Sequence, residues 1–162
     1  MAISIKKLTL WSAEIANRPG TLGRTLEPLA EAGIDLGVVM AYDKPDDRAR
    51  SVVEVAPVTG AKATRAAKAG GLSASPIPCL LVEGDNRAGI GHAMTAALGA
   101  AGINIHFTVA LAVGKKFRTI FGFGQEANLD AATRTIRTSV VTRAKKPAAG
   151  KKQRAATKKR SK

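Results

Sequence analysis

The sequence has few of the side chains that build metal sites and catalytic centres. Its 162 residues include one cysteine and two histidines, and aromatic residues make up 4%. One cysteine cannot form an internal disulfide or a cysteine metal cage. Because Cys79 lies in the apolar run Cys-Leu-Leu-Val, we expect a buried, unreactive thiol. There is no P-loop, nucleophile elbow or paired-histidine metal motif, so we predict no enzyme activity, no metal and no cofactor.

Long hydrophobic runs are also missing. The apolar stretches are much shorter than the ~18 residues that a membrane-spanning helix needs. At the N-terminus, Lys6 and Lys7 follow the first apolar residues instead of preceding them, which is unlike a secretory signal. We therefore expect a cytoplasmic protein without a membrane segment.

Positive charge is abundant but unevenly distributed along the chain. The formal net charge is +14, from 26 Lys and Arg against 12 Asp and Glu. Residues 143–162 contain ten of these basic residues and no acid, so the preceding part carries 16 basic and 12 acidic residues, or +4. A segment with so much like charge and so few apolar residues cannot form a core. We predict a nearly balanced folded body and a disordered basic tail at residues 143–162.

An internal repeat organises the chain before the tail. The segment Asn-Arg-Pro-Gly-Thr-Leu at residues 17–22 recurs as Asn-Arg-Ala-Gly-Ile-Gly at residues 86–91. The segment Leu-Ala-Glu-Ala-Gly-Ile-Asp at residues 29–35 recurs as Leu-Gly-Ala-Ala-Gly-Ile-Asn at residues 98–104, at the same offset of 69 residues. Two matches at one spacing indicate two copies of one structural unit.

Hydrophobic periodicity predicts the same order of elements in both copies. Two prolines at positions 76 and 78 separate the copies, which gives units at residues 1–75 and 76–142. The strands predicted in the first unit are residues 8–15, 34–42, 49–56 and 72–75, and its helices run from the turn at 17–20 to Gly33 and from 59 to 69. The second unit has predicted strands at 103–111 and 117–123 and a helix at 128–137 capped by Asn128, with little sequence left for a fourth strand. Strand, helix, strand, strand, helix, strand is the split βαβ arrangement. We therefore predict an α+β fold of two tandem ferredoxin-like βαββαβ modules with antiparallel sheets.

Two features within these elements lead to further expectations. Pro28 interrupts the helical spacing of the first unit and predicts a kink at residues 24–28. In the strand at 103–111, apolar residues alternate with polar or small ones, so His106 is expected on the less apolar face. The residues expected to share the packed face are Ile103, Ile105, Phe107, Val109 and Leu111.

This pattern resembles the ACT domain family, small ferredoxin-like modules that regulate amino-acid metabolism by binding amino acids. The resemblance rests on a strand, an N-R-P-G-type turn, a helix and an A-G-I-[DN] entry into the next strand, and it covers residues 8–138 in two copies. It implies an amino acid held between paired modules, by the strand-to-helix loop of one and the second strand of its neighbour. Because units this small are marginally stable alone, we also expect the two units to pack together and to pack again in a homodimer. The second copy departs from the family pattern at Ala88, where proline is usual.

The two strand-to-helix loops form the predicted ligand site. Carried over by position, the residues are Asn17, Arg18, Pro19, Gly20, Thr21 and Leu22 in the first copy, and Asp85, Asn86, Arg87, Ala88, Gly89, Ile90 and Gly91 in the second. Glycine in the first helical turn lets a carboxylate approach the free backbone N–H groups at the positive end of the helix dipole. A neighbouring Asp or Asn can accept hydrogen bonds from an ammonium group. A structural interpretation stays open, in which the glycines only make turns and Asn17 and Asn86 only cap helices.

The histidines and aromatic residues also have competing interpretations. His106 either lines such a site or is simply exposed, and His92 either contacts a ligand carboxylate or faces solvent. The aromatic residues expected in the core or between modules are Trp11, Phe107, Phe117, Phe121 and Phe123. They are too few for a base-stacking platform.

The basic tail indicates a second class of partner. It resembles the Lys/Ala/Pro tails of linker histones and some bacterial nucleoid proteins, which implies phosphate binding without sequence readout. The predicted nucleic-acid-binding residues are Lys145, Lys146, Lys151, Lys152, Arg154, Lys158, Lys159 and Arg160. A tail that serves solubility or an anionic protein partner is equally open.

Two functions follow from these observations. The first is non-catalytic sensing of a small metabolite, an amino acid above all, with the signal passed in trans to another molecule. The alternative is a nucleic-acid-associated basic protein whose folded body serves for dimerisation. A purely structural dimer with a solubility tail also stays open.

Overall fold

The computed structural model describes residues 3–124 and 129–145, and for residues 141–145 it describes the backbone alone. The elements in chain order are β1 Ile3–Leu8, β2 Trp11–Ala16, α1 Thr21–Glu31, β3 Val38–Lys44, β4 Asp47–Ala56, α2 Gly60–Ala69, β5 Ser73–Ala74, β6 Cys79–Asp85, α3 Ile90–Ala100, β7 Ile105–Val113, β8 Lys116–Phe123 and α4 Leu129–Lys145. Within these residues, no helix is both long and apolar enough to cross a membrane.

The strands form two antiparallel sheets of the same design. The first sheet has the order β3-β4-β2-β5 and the second has the order β1-β6-β8-β7. Each sheet contains a hairpin, β3–β4 in the first and β7–β8 in the second. The second strand of the hairpin pairs with the strand that precedes the first helix of the unit, which is β2 in the first sheet and β6 in the second. The predicted fold class, α+β with a βαββαβ-like arrangement twice, is confirmed.

Strand β1 occupies a place that the sequence did not reveal. The predicted strand at residues 8–15 corresponds to β2, but it starts too early, because β1 ends at Leu8 and β2 begins at Trp11. β1 pairs with β6 along its length, from Ile3 opposite Gly84 to Leu8 opposite Cys79. It therefore fills the fourth-strand position of the second unit, although it lies in the segment 1–75 assigned to the first.

Helix α4 is longer than predicted. The helix was expected to end at residue 137, but it continues to Lys145, so residues 139–141 are helical and the predicted disordered tail begins inside α4. The reason is packing: Ala132, Ile136 and Val140 are all buried and follow helical spacing along the second sheet. Asn128, the predicted cap, lies outside the described residues.

Each sheet has one face covered by helices and one helix-free face. Helices α1 and α2 enclose the core of the first sheet, and α3 and α4 enclose that of the second. The two helix-free faces meet in a third buried cluster that contains Leu10, Ala56, Cys79 and Ile120. The prediction of a buried Cys79 is confirmed, and Phe107 packs against this cluster between the sheets.

Strand β7 does not keep the predicted alternation. Its pairing with β8 shifts register between Ile105 and Phe107, where the extra residue is His106. As a result Ile105 packs against the helix-side core, whereas Phe107 packs between the sheets. The expectation that Ile103 to Leu111 share one packed face is therefore wrong beyond Ile105, and Leu111 is 65% exposed.

The first unit also differs from the sequence prediction in detail. Helix α1 contains Pro28, as predicted, and it ends at Glu31, shortly before the predicted end at Gly33. The predicted strand at 34–42 starts later, at Val38, because the amide of Ile34 still closes the helix by donating to the Leu29 carbonyl at 2.9 Å.

Candidate ligand-binding loops

The first loop leaves β2 at Ala16 and is fixed by Asn17. Its backbone N–H donates to the Ala49 carbonyl at 2.8 Å. Its Nδ2 donates to Asp43 Oδ1 and to the Arg48 carbonyl, both at 3.0 Å. Asn17 therefore ties the loop to the hairpin between β3 and β4. The interpretation of Asn17 as a helix cap is wrong, because Gly20 holds the N-cap position.

The second loop is anchored in the equivalent way. The N–H of Asn86 donates to the Lys115 carbonyl at 2.7 Å, at the hairpin between β7 and β8. The carboxylate of Asp85 pairs with Lys116 Nζ at 2.6 Å. This hydrogen bond from Lys116 holds the pKa of Asp85 below its ordinary value. The side chain of Asp85 is thus already an ionised partner of the hairpin.

Both helices begin at a glycine in the left-handed region. Gly20 has φ 82° and Gly89 has φ 76°, and neither helix start has a side-chain cap. Residues with a Cβ rarely adopt this conformation, so the backbone conformation explains why both copies have glycine at this position. The first N–H group of each helix donates to a carbonyl of its own loop. Thr21 N–H donates to the Arg18 carbonyl at 3.2 Å, and Ile90 N–H donates to the Arg87 carbonyl at 3.1 Å.

The next two amides of each helix are free of protein acceptors. Among the described residues, the N–H groups of Leu22 and Gly23 in α1 meet no acceptor, and neither do those of Gly91 and His92 in α3. The two pairs stand at the repeat offset of 69 residues. Two adjacent unpaired N–H groups at the positive end of a helix dipole form an anion-binding geometry.

The surroundings of these amides leave room for a ligand. Apart from the adjacent residues and the helix's own backbone, no heavy atom lies within 4 Å of the place where a Cβ on Gly23 or Gly91 would stand. Beside the first helix start, Arg24 donates to Thr21 Oγ1 at 3.3 Å, which places a cation next to the free amides.

The histidines lie at different places from one another. His92 is exposed in the first turn of α3, and His106 is exposed at the irregularity of β7, edge-on to the Phe107 ring at 6.2 Å. In the described part of the chain, no three His, Cys, Asp or Glu side chains cluster as metal ligands would. Within these residues, neither histidine therefore belongs to a cluster of metal ligands.

A groove of about 660 Å³ lies on the helix-free face of the second sheet. Leu111 and Val113 of β7 form its apolar side, and the Glu83–Arg118 ion pair, at 2.7 Å, lies within it. None of the predicted loop residues lines the groove. It is therefore separate from the helix starts.

Sequence reasoning missed parts of this arrangement. The free amides of Gly23 and His92 could have been found by counting through the first helical turn. The contact from Asn17 to Asp43 has no local signal, because 26 residues separate the two. Of the predicted basic-tail residues, Lys145 is the last residue of α4, and the other seven lie outside the described residues.

No family model matches the sequence, and no curated protein matches it. Solved structures do match. Protein BT0572 from Bacteroides thetaiotaomicron is 16% identical with a TM-score of 0.67, over 84% of this chain and 90% of that one. The regulatory subunit of aspartate kinase from Thermus thermophilus is 18% identical with a TM-score of 0.59, over 86% of this chain and 97% of that one. The corresponding subunit from Thermus flavus is 17% identical with a TM-score of 0.56, over 86% and 97%.

At these identities the likeness shows the fold. Nearly the whole length of each subunit is matched, so the order of both units corresponds, and not only that of one small module. The chain has the tandem ACT-like fold of aspartate kinase regulatory subunits.

Proposed function

We infer that this protein is a non-catalytic regulatory protein that binds a small metabolite, an amino acid, at the helix starts of its two units. The observation that carries the proposal is the pair of free amides at Leu22 and Gly23, repeated at Gly91 and His92. The fold shared with regulatory subunits of aspartate kinase supports the same class of function. We propose that the signal passes to a partner in trans.

The loops offer groups for both ends of an amino acid. A carboxylate would accept hydrogen bonds from the two free amides and gain from the helix dipole. An ammonium group would donate to Asn86 in the second loop, whose side chain is exposed. In the first loop, Asn17 uses Nδ2 for the hairpin and keeps Oδ1 as an acceptor.

We also infer that two copies of the chain pair. The exposed large hydrophobic residues of the described chain lie on the edge strands β3 and β7, and they are Val39, Tyr42, Val109, Leu111 and Val113. Edge strands with exposed apolar side chains are ready templates for pairing with another chain. The resemblance to ACT modules implies a ligand at such a junction, next to the strand-to-helix loops.

A thermal-unfolding screen of the full-length protein against the twenty amino acids tests the proposal. A ligand that binds only the folded state raises the free energy of unfolding, by about 2.7 kcal/mol at a hundred times its Kd. For a chain of this size we expect the midpoint to rise by roughly 5–10 °C. A flat response across the panel, with a cooperative transition in every sample, would contradict amino-acid binding.

Proline substitutions test the amides themselves. Gly91→Pro and Gly23→Pro each remove one free N–H in a first helical turn, where proline is best tolerated. The matched controls Gly91→Ala and Gly23→Ala keep the N–H and fill open space. Losing a hydrogen bond to a charged group costs about 1.5–3 kcal/mol, so we expect Kd to rise roughly 10- to 100-fold in the proline variant of the occupied loop only. Equal Kd values for proline and alanine variants in both loops would exclude these amides as the site.

A further inference from the structure

The groove on the helix-free face of the second sheet has a cationic strip beside an aliphatic strip. Lys116 and Arg118 of β8 line the groove, and the residues directly opposite them on β7 are Val113 and Leu111. Residues directly opposite each other on neighbouring antiparallel strands have their side chains on the same face of the sheet. The two strips therefore run side by side along the groove, about 5 Å apart.

The guanidinium group of Arg118 is held by one of its three nitrogens. Its Nε donates to Oε1 of Glu83 at 2.7 Å, and Glu83 lies directly opposite Arg118 on β6. Among the described residues, the two terminal nitrogens of Arg118 donate to no protein group. Since the group is planar and rigid, the bond to Glu83 fixes the direction in which the terminal N–H groups point. Arg118 thus offers oriented donors inside the groove.

The acidic neighbours limit the negative charge that an occupant can carry. The charged residues of the lining are two cations, Lys116 and Arg118, and one acid, Glu83, so the lining carries +1. Asp85, outside the lining, pairs with Lys116 at 2.6 Å. A phosphate ester carries about −1.5 to −2 at neutral pH, and its second charge would be repelled by Glu83. A carboxylate carries one charge, and its two oxygens match the terminal nitrogens of a guanidinium group.

The aliphatic strip favours an occupant with an apolar part. Leu111 and Val113 are among the exposed large hydrophobic residues of the described chain, and both line the groove. Covering such side chains with an apolar group removes apolar surface from water, which is favourable. The groove volume of about 660 Å³ lies within the range of roughly 300–1,000 Å³ for small-molecule sites, which combine apolar walls with a few placed polar groups.

We propose that this groove is a second small-molecule site, which binds a monocarboxylate with a short aliphatic chain. The carboxylate accepts hydrogen bonds from the terminal nitrogens of Arg118, and the chain lies along Leu111 and Val113. The groove shares no residue with the predicted ligand loops, so this inference does not depend on amino-acid binding at the helix starts.

The test is a titration of the full-length, ¹⁵N-labelled protein with pentanoate, followed by the signals of the backbone amides. We expect the signals of Gly84, Leu111 and Val113 to shift with one common Kd. Pentanamide keeps the chain but has no charge, and we expect it to bind roughly 10-fold more weakly. Propanoate lacks two CH₂ groups and should bind up to ~15-fold more weakly. Shifts confined to the helix starts at Leu22 and Gly91 would overturn the proposal.

Two variants with opposite expected effects separate binding from a structural role of the ion pair. Arg118→Gln removes the donors and should raise the Kd of pentanoate roughly 10-fold. Glu83→Gln keeps an acceptor for Arg118 but removes the neighbouring negative charge, so it should lower the Kd. The matched control is Arg50→Gln, which removes the corresponding partner of Glu14 on the first sheet, 3.7 Å away, and should leave the Kd unchanged.

Each variant leaves Leu111 and Val113 in place, so the proposed pairing of two copies at β7 is not disturbed. The proposal is overturned if Arg118→Gln binds pentanoate like the wild type, if Glu83→Gln weakens binding as much as Arg118→Gln, or if pentanamide binds as well as pentanoate. Thermal unfolding shows that each variant is folded before the Kd values are compared. Amino-acid binding at the helix starts should be the same in Arg118→Gln and the wild type, so the two proposed sites fail or succeed separately.

Discussion

Glu54 is a carboxyl group buried where the two sheets meet. It is 2% exposed and accepts a hydrogen bond from the Tyr42 hydroxyl at 3.2 Å. Burial raises its pKa above the ordinary value of 4.5, although the Tyr42 hydrogen bond and the charge of His106 act in the opposite direction. The folded protein therefore holds a proton on Glu54 that the unfolded chain releases more readily.

This difference predicts how stability depends on pH. A raised folded-state pKa gives a contribution that is fully present below the unfolded pKa, near 4.5, and is lost as pH rises through the folded pKa. Between these two pKa values, we expect the stability of Glu54→Gln to depend less on pH than that of the wild type. The stability of the variant relative to the wild type should therefore increase with pH. Urea unfolding at a series of pH values measures this, with the exposed Glu27→Gln as control. Parallel pH profiles for wild type and Glu54→Gln would show that Glu54 does not titrate abnormally.

Cys79 lies in the same region and is 1% exposed. Burial raises the pKa of its thiol to about 12, and the charge of Glu54 adds to this effect. Since the thiolate is the reactive form, we expect no reaction with a chromogenic disulfide reagent at neutral pH in the native protein. One equivalent should react at once in concentrated guanidinium chloride. Rapid labelling of the native protein would contradict the buried position.

At the scale of elements, the contact between α1 and α2 depends on Gly70. A Cβ on this residue would collide with the Thr25 carbonyl oxygen of α1. Backbone cannot give way as a flexible side chain can, so we expect Gly70→Ala to lower the free energy of unfolding by about 1–3 kcal/mol. The control is Gly99→Ala inside α3, where nothing lies within 4 Å and alanine should stabilise by up to ~1 kcal/mol. Urea denaturation distinguishes these opposite signs, and a neutral Gly70→Ala would mean that the two helices can separate at no cost.

The sequence predicted the positions of helices and strands better than the pairing of strands in the sheets. Periodicity identified most helices and strands, and the repeat located Gly20 and Gly89, because both signals are local. The pairing of β1 with β6 is not local: Ile5 opposite Val82 joins residues far apart in the sequence. An alternating strand fits the edge of either sheet equally well, so its own pattern could not decide which one it joins.

The errors in α4 and β7 have the same origin. Charge density suggested a tail from Arg143, but Val140 is buried against the second sheet and the helix continues past it. In β7 one extra residue at His106 moves every later side chain to the opposite face. Composition and hydrophobic periodicity describe one segment at a time. The end of α4 and the register shift in β7 depend instead on which other parts of the chain pack against these segments.

Within the whole molecule, the two units are joined by more than their linker. β1 crosses from the start of the chain into the second sheet, and the cluster around Leu10, Ala56, Cys79 and Ile120 is built from both sheets. Yet this contact covers the helix-free face of the second sheet only in part. Leu111 and Val113 lie on that face and are 65% and 70% exposed.

The exposed apolar edge at β7 leads to a prediction of the oligomeric state of the protein in solution. If a second copy covers β7, Leu111→Lys/Val113→Lys introduces two charges into the junction, and burying them without partners is unfavourable. We expect sedimentation to give twice the chain mass for the wild type and a single chain mass for this variant, with its unfolding still cooperative. The control Ala61→Lys/Ala69→Lys adds the same charge on exposed positions of α2 and should stay dimeric. If the β7 variant is still a dimer, the interface does not lie at this edge. If the wild type is a monomer, a second copy takes no part in the ligand site, and each helix start binds with the residues of one chain.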